Sequence, residues 1–297
     1  MKKLLFKKID AFATDFSKGN PAGYVQLGSI NDLNQTEMLR IAKELSGYVN
    51  EIGFLYISGT DVVSLKYYSA EREVDFCGHA TIAIMYDLFK NNSVFKEKKY
   101  TYIQTNHDRL IVENRIAEED SVFINSPNPV FESKTPKTDD IAKYLRINKS
   151  EIDPKRPISI INAGLSTLIV PIKCLKSILN ISPVLNELKG FCFESKIDII
   201  QVFTDEVVDN MNDYRVRVFA PTFGYIEDPA TGSGNSAFGY YLVENDIWNS
   251  DTVTIEQNKY RTGYNIIKLQ RHCCDKEGIR IYFGGSAVTR IEGHYYI

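Results

Sequence analysis

Two thirteen-residue segments restrict the fold of this chain more than anything else in it: residues 77–89, CGHATIAIMYDLF, and residues 231–243, TGSGNSAFGYYLV. Each is entered through a glycine turn, and each reads as a helix, the first with the apolar spacing of a buried one. Set against each other, Gly78 meets Gly232, Ala83 meets Ala237, Tyr86 meets Tyr240 and Leu88 meets Leu242. In both halves a strand ending in alanine, at Ala70 or Ala220, lies a short loop upstream. The matches and the shared order of elements fit two copies of one unit; two unrelated buried helices would satisfy the letters as well.

The surrounding pattern repeats in the same way. Phe6 to Phe12 and Tyr24 to Leu27 are strand-like, Thr36 to Leu45 is an amphipathic helix with Met38, Ile41, Ala42 and Leu45 on one face, and Gly47 ends it. Strands are expected at Glu51–Ile57, Val62–Tyr68, Tyr100–Gln104, Arg109–Glu113 and Val122–Ile124. Asn125-Ser126-Pro127-Asn128-Pro129 and Lys134-Thr135-Pro136-Lys137 form the best linker, after which the order restarts. Strands are expected at Ile158–Ile161, Thr167–Ile172, Ile197–Phe203 and Tyr214–Phe219. A short helix is expected at Val184–Leu188, a longer one at Ser233–Val243, and extended chain from there to the end. At 297 residues the chain exceeds what one core usually serves. The expected division is an N-terminal lobe over 1–125 and a C-terminal lobe over 126–297.

A net charge of -3, from 35 basic and 38 acidic residues, supplies no broad basic field for nucleic acid and no attraction to anionic lipid. No apolar run approaches the roughly 20 residues that span a bilayer. The start, Met1-Lys2-Lys3-Leu4-Leu5-Phe6-Lys7-Lys8, is too short in apolar residues for a signal core. Cys77, Cys174, Cys192, Cys273 and Cys274 have no framework spacing and fit a reducing compartment, so a cytoplasmic protein is expected.

Three places carry candidate chemistry. Asp75-Phe76-Cys77-Gly78-His79-Ala80-Thr81 and Glu227-Asp228-Pro229-Ala230-Thr231-Gly232-Ser233-Gly234-Asn235 each put Gly and small polar residues at a helix start. Backbone N–H groups there favour a carboxylate or another anion. Capping by Thr231 or Ser233 would explain the small polar residues, though not the titratable His79 and Asp228 beside them. The third place is Glu51, at the mouth of an apolar strand, facing either solvent or a site, with Ile52 and Phe54 as the neighbours that would close over it.

Four segments resemble the phenazine-biosynthesis (PhzF-like) family: Asp10-Ala11-Phe12 leading to Gly19-Asn20-Pro21-Ala22; Asn50-Glu51-Ile52-Gly53-Phe54; Phe76-Cys77-Gly78-His79-Ala80-Thr81; and Arg217-Val218-Phe219-Ala220-Pro221 leading to Glu227 through Gly234. Gly284-Gly285-Ser286-Ala287-Val288 resembles the family's closing strand. The resemblance implies an α+β fold of the diaminopimelate-epimerase type, with two similar lobes, each a curled β-sheet around a central helix, and the site in the cleft between them. It implies a cofactor-independent isomerase of a small carboxylate-bearing metabolite, with Glu51 as acid/base, and with His79 and Asp228 positioning and polarising the substrate. Asn20, Gly78, Gly232, Ser233 and Gly234 are the implied substrate-binding residues, and a homodimer is the implied assembly. Members often carry Ser-Glu-Thr around the catalytic glutamate, whereas this chain has Asn50-Glu51-Ile52.

The rivals are weaker. A racemase or epimerase of this fold would use Cys77 and a second thiol where Thr231 stands, and a threonine hydroxyl is too weakly acidic for that role. Cys77 then reads as a small buried packing residue. Gly232-Ser233-Gly234-Asn235-Ser236-Ala237 mimics a dinucleotide fingerprint, but Glu227 and Asp228 precede it and would repel a pyrophosphate. No metal site is expected: His79, His107, His272 and His294 are scattered, and His272-Cys273-Cys274 lacks ligand spacing. A non-catalytic binder of the same fold has no need of a placed proton carrier.

Overall fold

A computed structural model describes residues 2–29, 31–59, 62–106, 109–274 and 278–297. His107 lies outside the described residues, as does the side chain of Cys274. The chain forms two compact units, one of residues 1–125 with 284–297, the other of residues 126–283.

In the first unit the strands are β1 (Lys3–Ala11), β2 (Asn20–Leu27), β3 (Glu51–Ser58), β4 (Val62–Ser69), β5 (Glu73–Val74), β6 (Tyr100–Gln104), β7 (Arg109–Arg115) and β8 (Ser121–Asn125). Pairing is antiparallel β1–β2, parallel β2–β3, antiparallel β3–β4, parallel β4–β6 and antiparallel β6–β7 and β7–β8. Each parallel step needs a crossover. The helix Gln35–Leu45 supplies the first and the helix Gly78–Asn91 the second. Gly78–Asn91 touches β1, β2, β3, β7, β8 and the C-terminal strand Ala287–Tyr296, so the sheet curls around it. Every residue from Ala80 to Phe89 is accordingly buried. Gln35–Leu45 covers the outer face. It is closed at its start by a reciprocal cap between Asn34 and Glu37, and its Met38, Ile41 and Ala42 pack with Val25, Ile52 and Phe54.

In the second unit the strands are β9 (Val130–Phe131), β10 (Ser159–Asn162), β11 (Ser166–Pro171), β12 (Ile199–Thr204), β13 (Tyr214–Phe219), β14 (Glu227–Asp228), β15 (Thr252–Gln257), β16 (Asn265–Cys274) and β17 (Gly278–Gly285), the last running across the unit boundary. The pairing pattern recurs: antiparallel β10–β11, parallel β11–β12, antiparallel β12–β13, parallel β13–β15 and antiparallel β15–β16. Here Gly232–Glu244 is the central helix, buried from Gly234 to Leu242 and touching β10, β11, β12 and β16. The two-residue strands match too: β5 lies on β4 through Tyr67↔Val74, and β14 lies on β13 through Val218↔Asp228. Each central helix starts four residues past the end of that short strand. The units are two copies of one α+β plan.

Two expectations need correction. The second lobe was to run to residue 297, but residues 284–297 belong to the first unit, because Ala287–Tyr296 pairs along the whole of β1 from Lys3↔Tyr296 to Ala11↔Ala287. The short helix at 184–188 is longer, Leu185–Ser195, and is joined by Thr138–Leu145 and Leu175–Asn180. Ile141, Leu145, Ile178, Leu188 and Phe191 from these three cover the outer face of the second sheet against Leu168, Val170, Ile200 and Val202.

One polar knot fixes the first central helix in its sheet. Asp87, 3% exposed, accepts from Lys7 Nζ on β1 (3.1 Å), Tyr24 Oη on β2 (2.8 Å), Asn91 Nδ2 (2.9 Å) and Thr289 Oγ1 on the C-terminal strand (3.2 Å). Removing one partner of a buried ion pair strands the other charge and costs about 3–5 kcal/mol. Glu292, 3.3 Å from Lys7, retains part of that charge's compensation. Asp87→Ala is therefore expected to lose about 3 kcal/mol in urea unfolding, and an unchanged midpoint would show that the knot does not hold the helix.

Candidate active site

Strand alternation places Glu51. In β3, Ile52 and Phe54 are buried against the outer helix, so Glu51, Gly53 and Leu55 point to the face of the central helix. Contact there is close: a Cβ on Gly53 would stand 2.4 Å from Ile84 Cδ1. The same face brings the Glu51 carboxylate to the start of Gly78–Asn91, where Oε2 lies 3.3 Å from His79 Nε2. Cys77, the residue before the helix, also meets the ring, with Sγ 3.4 Å from Nδ1 and 4.0 Å from Nε2. Glu51, Cys77 and His79 form one cluster, their ligand-type atoms all within 4.8 Å of one another. Glu51 Oε2 is buried and has no aligned hydrogen-bond donor, although His79 is at ion-pair distance. Ile52 and Phe54 face away and do not close over the carboxylate, contrary to expectation.

His79 is held well above the ordinary imidazole range. Burial acts against the charged ring, but the neighbouring Cys77 thiol and then the Glu51 carboxylate 3.3 Å away outweigh it. Cys77 is buried at 8% exposure, as a packing residue would be, but it is also the ring's partner. The helix start has no side-chain cap. Thr81 turns its hydroxyl back to the Cys77 carbonyl (2.7 Å) and meets the Tyr67 hydroxyl at 2.6 Å, which fixes the turn from below. Asn20 is buried at the start of β2, two residues before Ala22, the register partner of Glu51.

The second unit builds the equivalent turn from other chemistry. Thr231 occupies the cap position of Gly232–Glu244 but makes no cap; its hydroxyl donates instead to Asp228 Oδ2 at 2.5 Å. Gln257 Nε2 donates to that hydroxyl oxygen and to the Asp228 carbonyl, both at 3.0 Å. Gln257 Oε1 accepts from the Thr231 amide (3.2 Å) and from Asn235 Nδ2 (2.7 Å), and Asn235 Oδ1 accepts from Gln201 (3.1 Å). The carboxylate of Asp228 is thus oriented by a fully buried amide chain. Gly232, Ser233 and Gly234 form the first turn, and Gly232 is required by space, since a Cβ there would stand 2.4 Å from the Phe283 ring.

The structure brings Glu51 and His79 together with Gly78 in the first unit, and Asp228 with Gly232, Ser233 and Gly234 in the second. The sequence reading missed Cys77 as partner of His79, and it missed Gln201, Asn235 and Gln257 around Asp228. The spacing of Asn235, one turn past Thr231, was a usable signal. Nothing near Gln257 or Gln201 in the chain announces them.

A curled sheet on a buried helix, twice over, is an α+β fold of the diaminopimelate-epimerase type. The chain belongs to the phenazine biosynthesis-like (PhzC-PhzF) family, whose profile matches residues 9–293. It is 32% identical over 246 residues to an uncharacterized isomerase, YfhB, of Bacillus subtilis, covering 82% of each protein. It is 28% identical over 299 residues to an uncharacterized isomerase of Clostridium acetobutylicum, covering 97% of each. A PhzF-family phenazine biosynthesis protein from Bacillus anthracis superposes with a TM-score of 0.87 at 26% identity, over 100% of both chains. A hydroxyproline epimerase from Agrobacterium vitis shares the fold alone, with a TM-score of 0.59 at 9% identity over 99% of this chain and 91% of that one. Among the described residues no helix is long and apolar enough to cross a membrane.

The raised His79 titration has a defined sign. A histidine whose folded value exceeds its unfolded value of about 6.5 contributes stability that is fully present below that pH and is lost as pH rises through the folded value. Ring-proton NMR is expected to show His79 staying protonated well above pH 6.5, and Glu51→Gln and Cys77→Ser are each expected to lower its midpoint. A midpoint unmoved by both substitutions would remove these two groups as its cause.

Proposed function

We propose that this protein is a cofactor-independent isomerase that moves a proton within a small, carboxylate-bearing metabolite, with Glu51 as the acid/base. The observation that supports this best is the Glu51 Oε2 atom, buried 3.3 Å from the His79 ring yet left without an aligned donor. A carboxylate so held accepts a proton from one carbon and, as the carboxylic acid, returns it to another; nothing is consumed. His79, as imidazolium, polarises the substrate oxygen next to the carbanionic centre and stabilises the charge that develops there. Asp228, held by Thr231 and Gln257, fixes a substrate amine or hydroxyl. The helix-start N–H groups of Gly78, Gly232, Ser233 and Gly234 favour the carboxylate, and Asn20 supplies a further polar contact. In this reading Glu51 carries the proton unaided by an organic cofactor or a catalytic metal.

The Cys77–His79 contact favours a second reading, a racemase in which Cys77 is one of two proton carriers. Against it, Thr231 stands in the second place, and its hydroxyl is engaged with Asp228. A non-catalytic binder would leave Glu51 without a task.

Incubated with a metabolite extract in heavy water, the protein is expected to yield a mass-shifted isomer carrying deuterium. Glu51→Gln keeps the shape and cannot take a proton, so that yield should fall about a hundredfold while binding of the same metabolite largely survives. Equal turnover by the variant would send the search for the base to Asp228 or His79, and a stereoinverted product abolished by Cys77→Ser would favour the racemase. We further propose a homodimer, for which sedimentation at micromolar concentration should give the mass of two chains; a one-chain mass would refute it.

A further inference from the structure

We infer that Glu51, Cys77 and His79 form a binding site for a borderline-soft divalent cation, zinc above all, and that the metal shuts off the site by taking the acid/base as a ligand. The three residues supply one oxygen, one sulfur and one nitrogen, the atom types zinc prefers in sites with an open fourth position. Their spacing suits one ion. His79 Nε2 lies 3.3 Å from Glu51 Oε2 and 4.0 Å from Cys77 Sγ, and all three ligand-type atoms fall within 4.8 Å. Bonds of about 2.0–2.3 Å at tetrahedral angles put ligand atoms about 3.3–3.6 Å apart, so small side-chain rotations close the set.

Charge and polarity point the same way. Glu51 Oε2 is buried without an aligned donor, which leaves a carboxylate oxygen with coordinating capacity unspent. A divalent ion bound by one carboxylate and one thiolate is neutral overall, the condition under which a part-buried site tolerates it. Cys77 and His79 each give a proton to solvent on binding, so that the ligands are a thiolate and the neutral ring. Thiolate and imidazole select against magnesium and calcium, which take oxygen ligands. Two of the ligands come from one rigid turn, Cys77 and His79 flanking Gly78, and the third from the first residue of β3, so little ordering is needed on binding. The binding stands on this geometry alone; only its effect on turnover rests on the isomerase reading.

The test uses the full-length protein stripped with a chelator and titrated with cobalt(II), then with zinc in competition against a chromophoric chelator. One cobalt per chain with a thiolate charge-transfer band, displaced by zinc, is the expected result. Cys77→Ser should lose the band and weaken zinc by at least about tenfold, and Glu51→Gln, which keeps the shape of the side chain, should weaken zinc similarly. A Cys273→Ser/Cys274→Ser variant should behave as wild type, because those thiols belong to a separate strand. Circular dichroism of each variant separates lost ligands from lost fold. The proposal is overturned if the wild type shows no thiolate band, if the band survives Cys77→Ser, or if it disappears in the Cys273/Cys274 variant. Zinc bound with these properties but with no turnover to inhibit would leave the metal site standing and count against the isomerase reading instead.

Discussion

Burial of a helix on all sides is the constraint from which the rest of this structure follows. Ala80 to Phe89 offer no polar face to solvent, so the helix is stable only inside a sheet that wraps it. A sheet that wraps must combine hairpins with crossovers, and the helix itself is one of the crossovers. Both units therefore share the alternation of antiparallel and parallel pairs. Such a helix is accessible only at its ends, because the side chains between them are enclosed. Gly78, His79 and Ser233 are the first-turn residues that remain partly exposed. The candidate site residues His79 and Ser233 stand at one of these ends, the helix starts.

Much of this was legible in the sequence, for a local reason. Gly78 and Gly232 mark the helix entries, and a period of two across Glu51, Gly53 and Leu55 carries Glu51 to the helix face once Ile52 and Phe54 are given to the outer one. The closing strand was legible as a strand but not in its allegiance. Its pairing with β1 joins residues nearly a chain length apart, and no local pattern encodes the partner. The same is true of Thr289 on Asp87 and of Gln257 on Thr231, whose partners lie 202 and 26 residues away. The outer helices Thr138–Leu145 and Leu175–Asn180 are short, and neither has a side-chain cap, so they are fixed by burial of Ile141, Leu145 and Ile178 on the sheet and not by local signals. The capping explanation for Thr231 fails for a physical reason as well: its hydroxyl donates to the Asp228 carboxylate and its oxygen accepts from Gln257 Nε2 in place of a helix N–H.

The two copies have been spent differently, and the difference bears on mechanism. Aligned through Tyr67↔Val74 and Val218↔Asp228, Glu51 corresponds to Ile199, Gly53 to Gln201, Cys77 to Thr231, His79 to Ser233 and Thr81 to Asn235. Thr81 and Asn235 keep one common task, a side-chain bond of 2.7 Å back to the carbonyl of the residue before the helix. Around that shared turn the first unit has a carboxylate, an imidazole and a thiol. The second has amides and hydroxyls, which hold fixed dipoles and exchange none, plus one carboxylate already engaged by Thr231. Inversion at a carbon needs a proton carrier on each of two opposed faces, whereas relocation along one face needs a single carrier and a rigid frame. The isomerase reading proposed above asks only for the second, a single carrier, and in that reading the carrier is Glu51 of the first unit.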